Sequence, residues 1–198
     1  MMKPAIFMVI FALFLMGKGA DSMRYELNNE IDVPLSASSI WGVYACKELP
    51  KLIVKLLPHV FDRIDYISGD GGVGTVIRII FPPGEVPRSY KETFRKIDHA
   101  QRLKEVQQLS GGYLAMGVTS YVDKFKIIST GPNSCTIRST TEYEVPDHLA
   151  DKVNSLISIE GLVPMAKAIV EYVKEFGDYG QCLGTSANAD LAHIALPV

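Results

Sequence analysis

Apolar and polar positions along the chain change their period at a few definite points. Residues 5–16 form an unbroken apolar run behind a start that carries Lys3. Residues 26–34 then alternate loosely, as a half-buried strand does. Pro34 ends that pattern, and Ser36 stands where an N-cap belongs, ahead of a helical stretch, SASSIWGVYACKEL. Residues 51–57, KLIVKLL, predict a second short helix stopped by Pro58. From Phe61 the period becomes two. Residues 62–68 predict a strand, Gly69 to Gly74 a turn, and the β-branched stretch 75–81 the return strand. Pro82, Pro83, Gly84 and Pro87 mark a loop. Further strands are expected over 89–97, 102–109, 113–128 and 136–145, with turns at 98–101, 110–112 and 131–133. Links this short make the sheet antiparallel. After Pro146 the spacing switches to i, i+3, i+4 through Leu149, Val153, Leu156, Ile157, Val163, Ala166, Ile169, Val170 and Val173. That predicts one long helix to Phe176, kinked at Gly161 and Pro164. The fold class is therefore α+β: a curved seven-stranded antiparallel sheet wrapping a long C-terminal helix, with two short helices near its start. A sheet curled over one helix leaves a hollow, and hollows of that kind hold small ligands.

The first apolar run is followed by small residues at 17 and 19, the pattern of a secretory signal peptide. It is shorter than the ~20 residues that span a bilayer, so no permanent membrane span is expected. The expected organisation is a signal peptide over 1–19, one folded domain over 20–176 and a flexible tail over 177–198, rich in Gly, Ala, Ser and Asn. Such a leader would send the chain into the secretory pathway, with the endoplasmic reticulum or vacuole as the expected destination. Of 198 residues, 47% are hydrophobic, which excludes a disordered chain and supplies one sizeable core. Lys and Arg number 20 against 22 Asp and Glu, which argues against nucleic acid as a partner and against a polybasic membrane-surface protein. Cys46, Cys135 and Cys182 are far apart and form no CxxC, so neither a zinc ribbon nor a disulfide framework is indicated.

Two motif readings fail on context. Gly69-Asp70-Gly71-Gly72-Val73-Gly74 matches G-x-G-x-x-G, but a dinucleotide site needs a helix after it and a β-branched strand follows. It reads as a glycine-rich hairpin. His59, His99, His148 and His193 are scattered without ligand spacing, so no metal site is expected.

The strands carry the chemistry. Successive side chains point to opposite faces. Tyr90, Glu92 and Phe94 share one face, opposite Lys91, Thr93 and Arg95. Tyr121, Asp123, Phe125 and Ile127 share another, opposite Lys124 and Lys126. Aromatic faces point inward, and they carry Glu92 and Asp123 with them. Carboxylates on apolar faces break simple patterning, as functional sites do, and burial raises their pKa values toward acid–base range. A hairpin turning at 98–99 would set Glu92 opposite Lys104 or its neighbour, ~5 Å away at Cβ. Such a lysine is a poised base, a Schiff-base amine or one half of an ion pair. The plainest alternative is a half-exposed cross-strand salt bridge.

At these residues the chain resembles the pathogenesis-related class 10 and Bet v 1 family, and most nearly its norcoclaurine synthase branch. The segments that carry the resemblance are ISGDGGVGT (67–75), FPPGEVP (81–87), SYKETF (89–94), RLKEV (102–106), GGYLAMGVTSYVD (111–123) and STTEYEV (139–145), within 26–176. The glycine loop marks only the wider family; Tyr-x-Glu with the RLK lysine and the SYVD aspartate is more specific. The resemblance implies a helix-grip fold and a catalytic set of Tyr90, Glu92, Lys104 and Asp123, with Phe94 and Tyr121 lining the substrate tunnel. Ala115 and Ser120 depart from the branch, which carries an aspartate and an aromatic there; the departure bears on substrate preference. The implied activity is a cofactor-free Pictet–Spengler condensation of dopamine with 4-hydroxyphenylacetaldehyde to (S)-norcoclaurine, the first committed step toward benzylisoquinoline alkaloids. A homodimer is left open. The competing reading is a non-catalytic carrier of small hydrophobic ligands.

Overall fold

The computed structural model describes residues 22–177, so the expected leader and nearly all of the expected tail lie outside the described residues. Strand β1 is Ser22–Val33 and ends where Pro34 breaks the alternation. Ser36 caps the next helix, α1, Ala37–Tyr44: the backbone N–H of Ser39 donates to its Oγ at 3.1 Å. Helix α2, Leu49–Leu56, carries Pro50 in its first turn, where a missing N–H costs nothing. The two helices lead to β2, Arg63–Ser68, and β3, Val76–Ile80. The meander continues through β4, Ser89–Asp98; β5, Leu103–Gly111; β6, Ser120–Gly131; and β7, Ser134–Pro146.

All seven strands form one antiparallel sheet in the order β1-β7-β6-β5-β4-β3-β2. The first and second strands are thus its two edges, and α1 and α2 carry the chain from one to the other. The glycine loop is a turn between β2 and β3, as its β-branched sequel required. Gly71 has φ +96°, and a Cβ there would lie 2.3 Å from the Lys47 carbonyl oxygen. The loop is therefore pressed against the α1–α2 corner, where Lys47 pairs with Asp70 and the Tyr66 hydroxyl donates to the Lys47 carbonyl at 2.6 Å.

Two expected elements come out differently. Residues 113–119 do not open β6: a 3-10 turn over Leu114–Met116 precedes it, closed by Gly117 at φ +102°. The long helix is not one kinked rod. A short helix α3, Ala150–Asn154, and a 3-10 turn, Ile159–Leu162, precede α4, Val163–Phe176, and the direction bends by 55°. Ser158 caps the second start by accepting from the Glu160 N–H, and Pro164 sits in the first turn of α4 instead of its interior. Apolar periodicity runs through the break because both pieces bury one face.

The main core lies between the concave sheet face and α1, α2 and α4. Ile40, Leu52, Ala166 and Ile169 are fully buried there. Truncating a buried leucine or isoleucine of this kind costs about 2–5 kcal/mol. A second cluster under α3 contains Val118, Tyr121, Tyr143, Val145 and Val153. No single helix among the described residues is long and apolar enough to cross a membrane.

Candidate active site

Between the concave face and the helices lies a cavity of about 100 Å³. Tyr90, Glu92 and Phe94 reach it from β4, Lys104 and Val106 from β5, and Asp123 and Phe125 from β6. Its other wall is Tyr44, Leu49, Pro50 and Ile53 from the first two helices, and Leu162 and Met165 at the start of the last. All four residues of the expected catalytic set, with Phe94, thus line one cavity. Tyr121 does not line it. That ring is buried in the second cluster, stacked on Tyr113 at 5.0 Å and facing Tyr143 at 6.4 Å.

The pairing of Glu92 with Lys104 needs correction. The β4–β5 hairpin turns over residues 99–102, where the Asp98 carboxylate accepts from the Gln101 N–H at 2.9 Å and Arg102 takes φ +47°. Irregularities between Lys91 and Glu92, and between Phe94 and Lys96, shift the register again. Glu92 therefore faces Gln108 across the strands, and Lys104 faces Ile97. Nor is Lys104 half-exposed: it is 2% accessible and makes no cross-strand salt bridge to Glu92. Phe94, Val106, Asp123 and Thr141 make one lateral row across four strands. Glu92 lies on one side of that row and Lys104 on the other.

Each ionisable group is displaced by burial. The Glu92 carboxyl is pushed up to about 8, chiefly by loss of water, with Asp123 adding and Lys104 opposing. The Asp123 carboxyl rises to about 7 for the same reason, held back by the Thr141 hydroxyl, which donates to it at 2.5 Å. The Lys104 ammonium is lowered to about 8 by burial, partly offset by Glu92. Its Nζ donates to the Tyr44 carbonyl at 3.2 Å and stands 4.1 Å over the Phe94 ring. Tyr90 is raised well above its ordinary range by burial and by both carboxylates, so it acts as a neutral phenol. An acid, a base and an amine all titrate close to neutral pH within one apolar chamber. That combination suits proton transfers to and from a bound organic substrate.

Sequence reasoning missed Tyr44, whose main-chain oxygen holds Lys104, and the α2 and α4 residues that wall the cavity. The latter carried a signal, the apolar helical stripe; a carbonyl ligand carries none. Among the described residues no group of three or more His, Cys, Asp and Glu side chains could hold a metal ion.

Comparison with known proteins agrees with this architecture. An S-norcoclaurine synthase 2 from Papaver somniferum is 51% identical over 152 residues, covering 76% of this chain and 66% of its own length. The chain therefore spans just under two thirds of that relative. An S-norcoclaurine synthase from Thalictrum flavum subsp. glaucum is 44% identical over 149 residues, covering 75% of this chain and 70% of that one. The X-ray structure of norcoclaurine synthase from Thalictrum flavum in complex with dopamine and hydroxybenzaldehyde superposes with a TM-score of 0.76 at 38% identity. It covers 86% of this chain and 98% of its own. The model of the Pathogenesis-related protein Bet v 1 family matches residues 22–176, from the first strand to the end of the last helix. With every described strand and helix inside that match, the chain belongs to the Bet v 1 family.

Proposed function

We propose that this chain is an (S)-norcoclaurine synthase, a cofactor-free catalyst of the Pictet–Spengler condensation of dopamine with 4-hydroxyphenylacetaldehyde. The observation that carries the reading is the cavity wall: Glu92, Lys104 and Asp123 are buried together, each displaced toward neutral pH. The relatives named S-norcoclaurine synthase support the same reaction here, and the Thalictrum structure with dopamine and hydroxybenzaldehyde supports dopamine and an aromatic aldehyde as the pair of reactants.

The chemistry needs three kinds of help. The amine adds to the aldehyde to give a carbinolamine, which must lose hydroxide as water. Asp123, kept partly protonated near pH 7, supplies that proton. The resulting iminium is attacked by the ring carbon para to a catechol hydroxyl. Lys104, as the neutral amine that burial makes accessible, binds that hydroxyl and takes up its proton, raising electron density at the attacking carbon. The new C–C bond leaves a proton on the ring. Glu92, as the carboxylate, removes it, the electron pair returns to the ring, aromaticity is restored, and Lys104 gives its proton back to the catechol oxygen. Tyr90, a neutral phenol beside both carboxylates, hydrogen-bonds and orients the reacting groups. Each acid–base contribution is worth about 10²–10⁴-fold, and holding two substrates in one chamber adds a proximity gain. Stereoselectivity follows from walls that present one face of the iminium to the ring.

The base role is tested by the pH–rate profile of Glu92→Gln. It is expected to lose the limb that Glu92 controls and about 10²–10⁴-fold in kcat. An unchanged profile would remove Glu92 from the proton transfer. The apolar run at 5–16 supports delivery to the secretory pathway. A fluorescent fusion with residues 1–19 should enter the endoplasmic reticulum, and one lacking them should remain in the cytosol.

A further inference from the structure

Gln108 is the buried polar group that this chemistry leaves unused. It is 6% accessible, and its Oε1 is buried without a hydrogen-bond partner among the described residues. Buried acceptors are nearly always satisfied, so an orphan points to a neighbouring group that becomes a donor during the reaction. Position narrows the search. Along β5, Lys104, Val106 and Gln108 are buried on the same face, and Gln108 is the register partner of Glu92. Partners of this kind hold their Cβ atoms ~5 Å apart, within reach of Glu and Gln head groups. The space around the amide is reserved as well. A Cβ at Gly112 would lie 2.7 Å from Gln108 Oε1 and 3.2 Å from the Tyr90 Cβ, so the glycine leaves room for this head group beside Tyr90.

An ionised carboxylate only accepts hydrogen bonds, whereas a neutral carboxyl has one O–H to donate. An orphan carbonyl beside Glu92 is thus matched to its protonated form. We propose that Gln108 is a positioning residue for Glu92, its side-chain carbonyl accepting the O–H that Glu92 acquires when it takes the ring proton. The C–H bond breaks, its proton passes to a Glu92 oxygen, its electron pair returns to the ring, and the new O–H is received by Gln108. Stabilising the protonated product makes Glu92 a stronger base and holds its carboxyl in one orientation. The other titratable groups acting on Glu92 are Tyr90 on β4, Lys104 on β5, and Asp123 and Tyr121 on β6. All of them are retained in the variants below. The inference rests on the proposed synthase reading for its catalytic consequence, but not for its effect on Glu92 itself.

The test therefore has an arm without substrate. The infrared band of the protonated Glu92 carboxyl, identified by its absence in Glu92→Gln, is titrated in wild type and in Gln108→Met. Its midpoint is expected to move to lower pH in Gln108→Met, because the neutral form loses its acceptor. In turnover, Gln108→Met should lower kcat by about threefold to tenfold, the worth of one such hydrogen bond. KM should stay within about twofold. The same change made in a Glu92→Gln background should then have no further effect. Should Gln108→Met fail to fold, Gln108→Asn keeps the amide but withdraws its carbonyl by one methylene, and the same shifts are expected. A midpoint that stays in place or rises, or an equal loss of rate in the Glu92→Gln background, overturns the proposal. A wild type without turnover would instead overturn the synthase reading, and the infrared arm would still decide the role of Gln108.

Discussion

Lys104 carries the clearest balance between stability and chemistry. An ammonium at 2% accessibility is held by one carbonyl and one aromatic face. Folding lowers its pKa from 10.5 to about 8. Between those values the folded chain binds fewer protons than the unfolded one, so this group makes stability rise with pH across that window. Below pH 8 the folded chain carries the full penalty of a buried charge. Lys104→Met should then be more stable than wild type below pH 8, by about 3 kcal/mol at most. The gain should fade toward pH 10.5, the ordinary lysine value. Denaturant titrations across that range check the sign, with loss of turnover as the accompanying cost. Glu92 works in the opposite direction. Its folded pKa is raised from 4.5 to about 8, so its contribution favours the fold at low pH and is lost as pH rises through 8. At this scale the sequence was informative wherever strand alternation alone decided. Tyr90, Glu92, Phe94 and Asp123 face inward because period two places them there. Lys104 could not be placed the same way, because its register depends on two irregularities in β4 and a four-residue turn. Gln108 reads as an ordinary polar strand residue until its register partner is known.

The elements hold these groups through the α1–α2 corner. The Tyr44 carbonyl that holds Lys104 lies three residues before Lys47, on which the glycine loop is seated. Gly71→Ala would combine a strained φ of +96° with a Cβ driven to 2.3 Å from the Lys47 oxygen. The loop must then lift, at a cost of about 1–3 kcal/mol in stability. Activity should fall further than stability alone explains, since the corner moves with the loop; thermal denaturation and kcat measured together separate the two. Gly74 has open space around its Cβ position, so Gly74→Ala bears only the strain of its φ and serves as the control. Most elements were legible in the sequence because each has its own local signal: the Ser36 cap, Pro50 in a first turn, β-branched residues after the glycine loop. The break before α4 was not, because Leu149, Val153, Ile157, Ala166 and Ile169 keep helical spacing across it. The first piece ends at Asn154, and Ser158 starts the next as its N-cap; such a cap has the same local appearance as a serine on a helix surface.

For the whole molecule, the sheet supplies charged groups on one wall and the helices supply an apolar one. Neither alone makes a reaction chamber. The order β1-β7-β6-β5-β4-β3-β2 puts β4, β5 and β6 near the middle of the sheet, so Glu92, Lys104 and Asp123 sit where α4 and the two short helices cover it. Burial is then the common cause of all three displaced pKa values, and it follows from the architecture as a whole. The hollow was legible as a consequence of fold class, while its walls were not, because they come from residues far apart in the chain. The most direct measurement is chiral chromatography of the product formed by the protein spanning residues 20–198 from dopamine and 4-hydroxyphenylacetaldehyde. Uncatalysed condensation of achiral reactants gives a racemate, so enantiomeric excess separates catalysis from background where rate alone does not. The account predicts an excess of the S product that disappears in Lys104→Ala. A racemate formed at the background rate would contradict it and leave a carrier of small hydrophobic ligands.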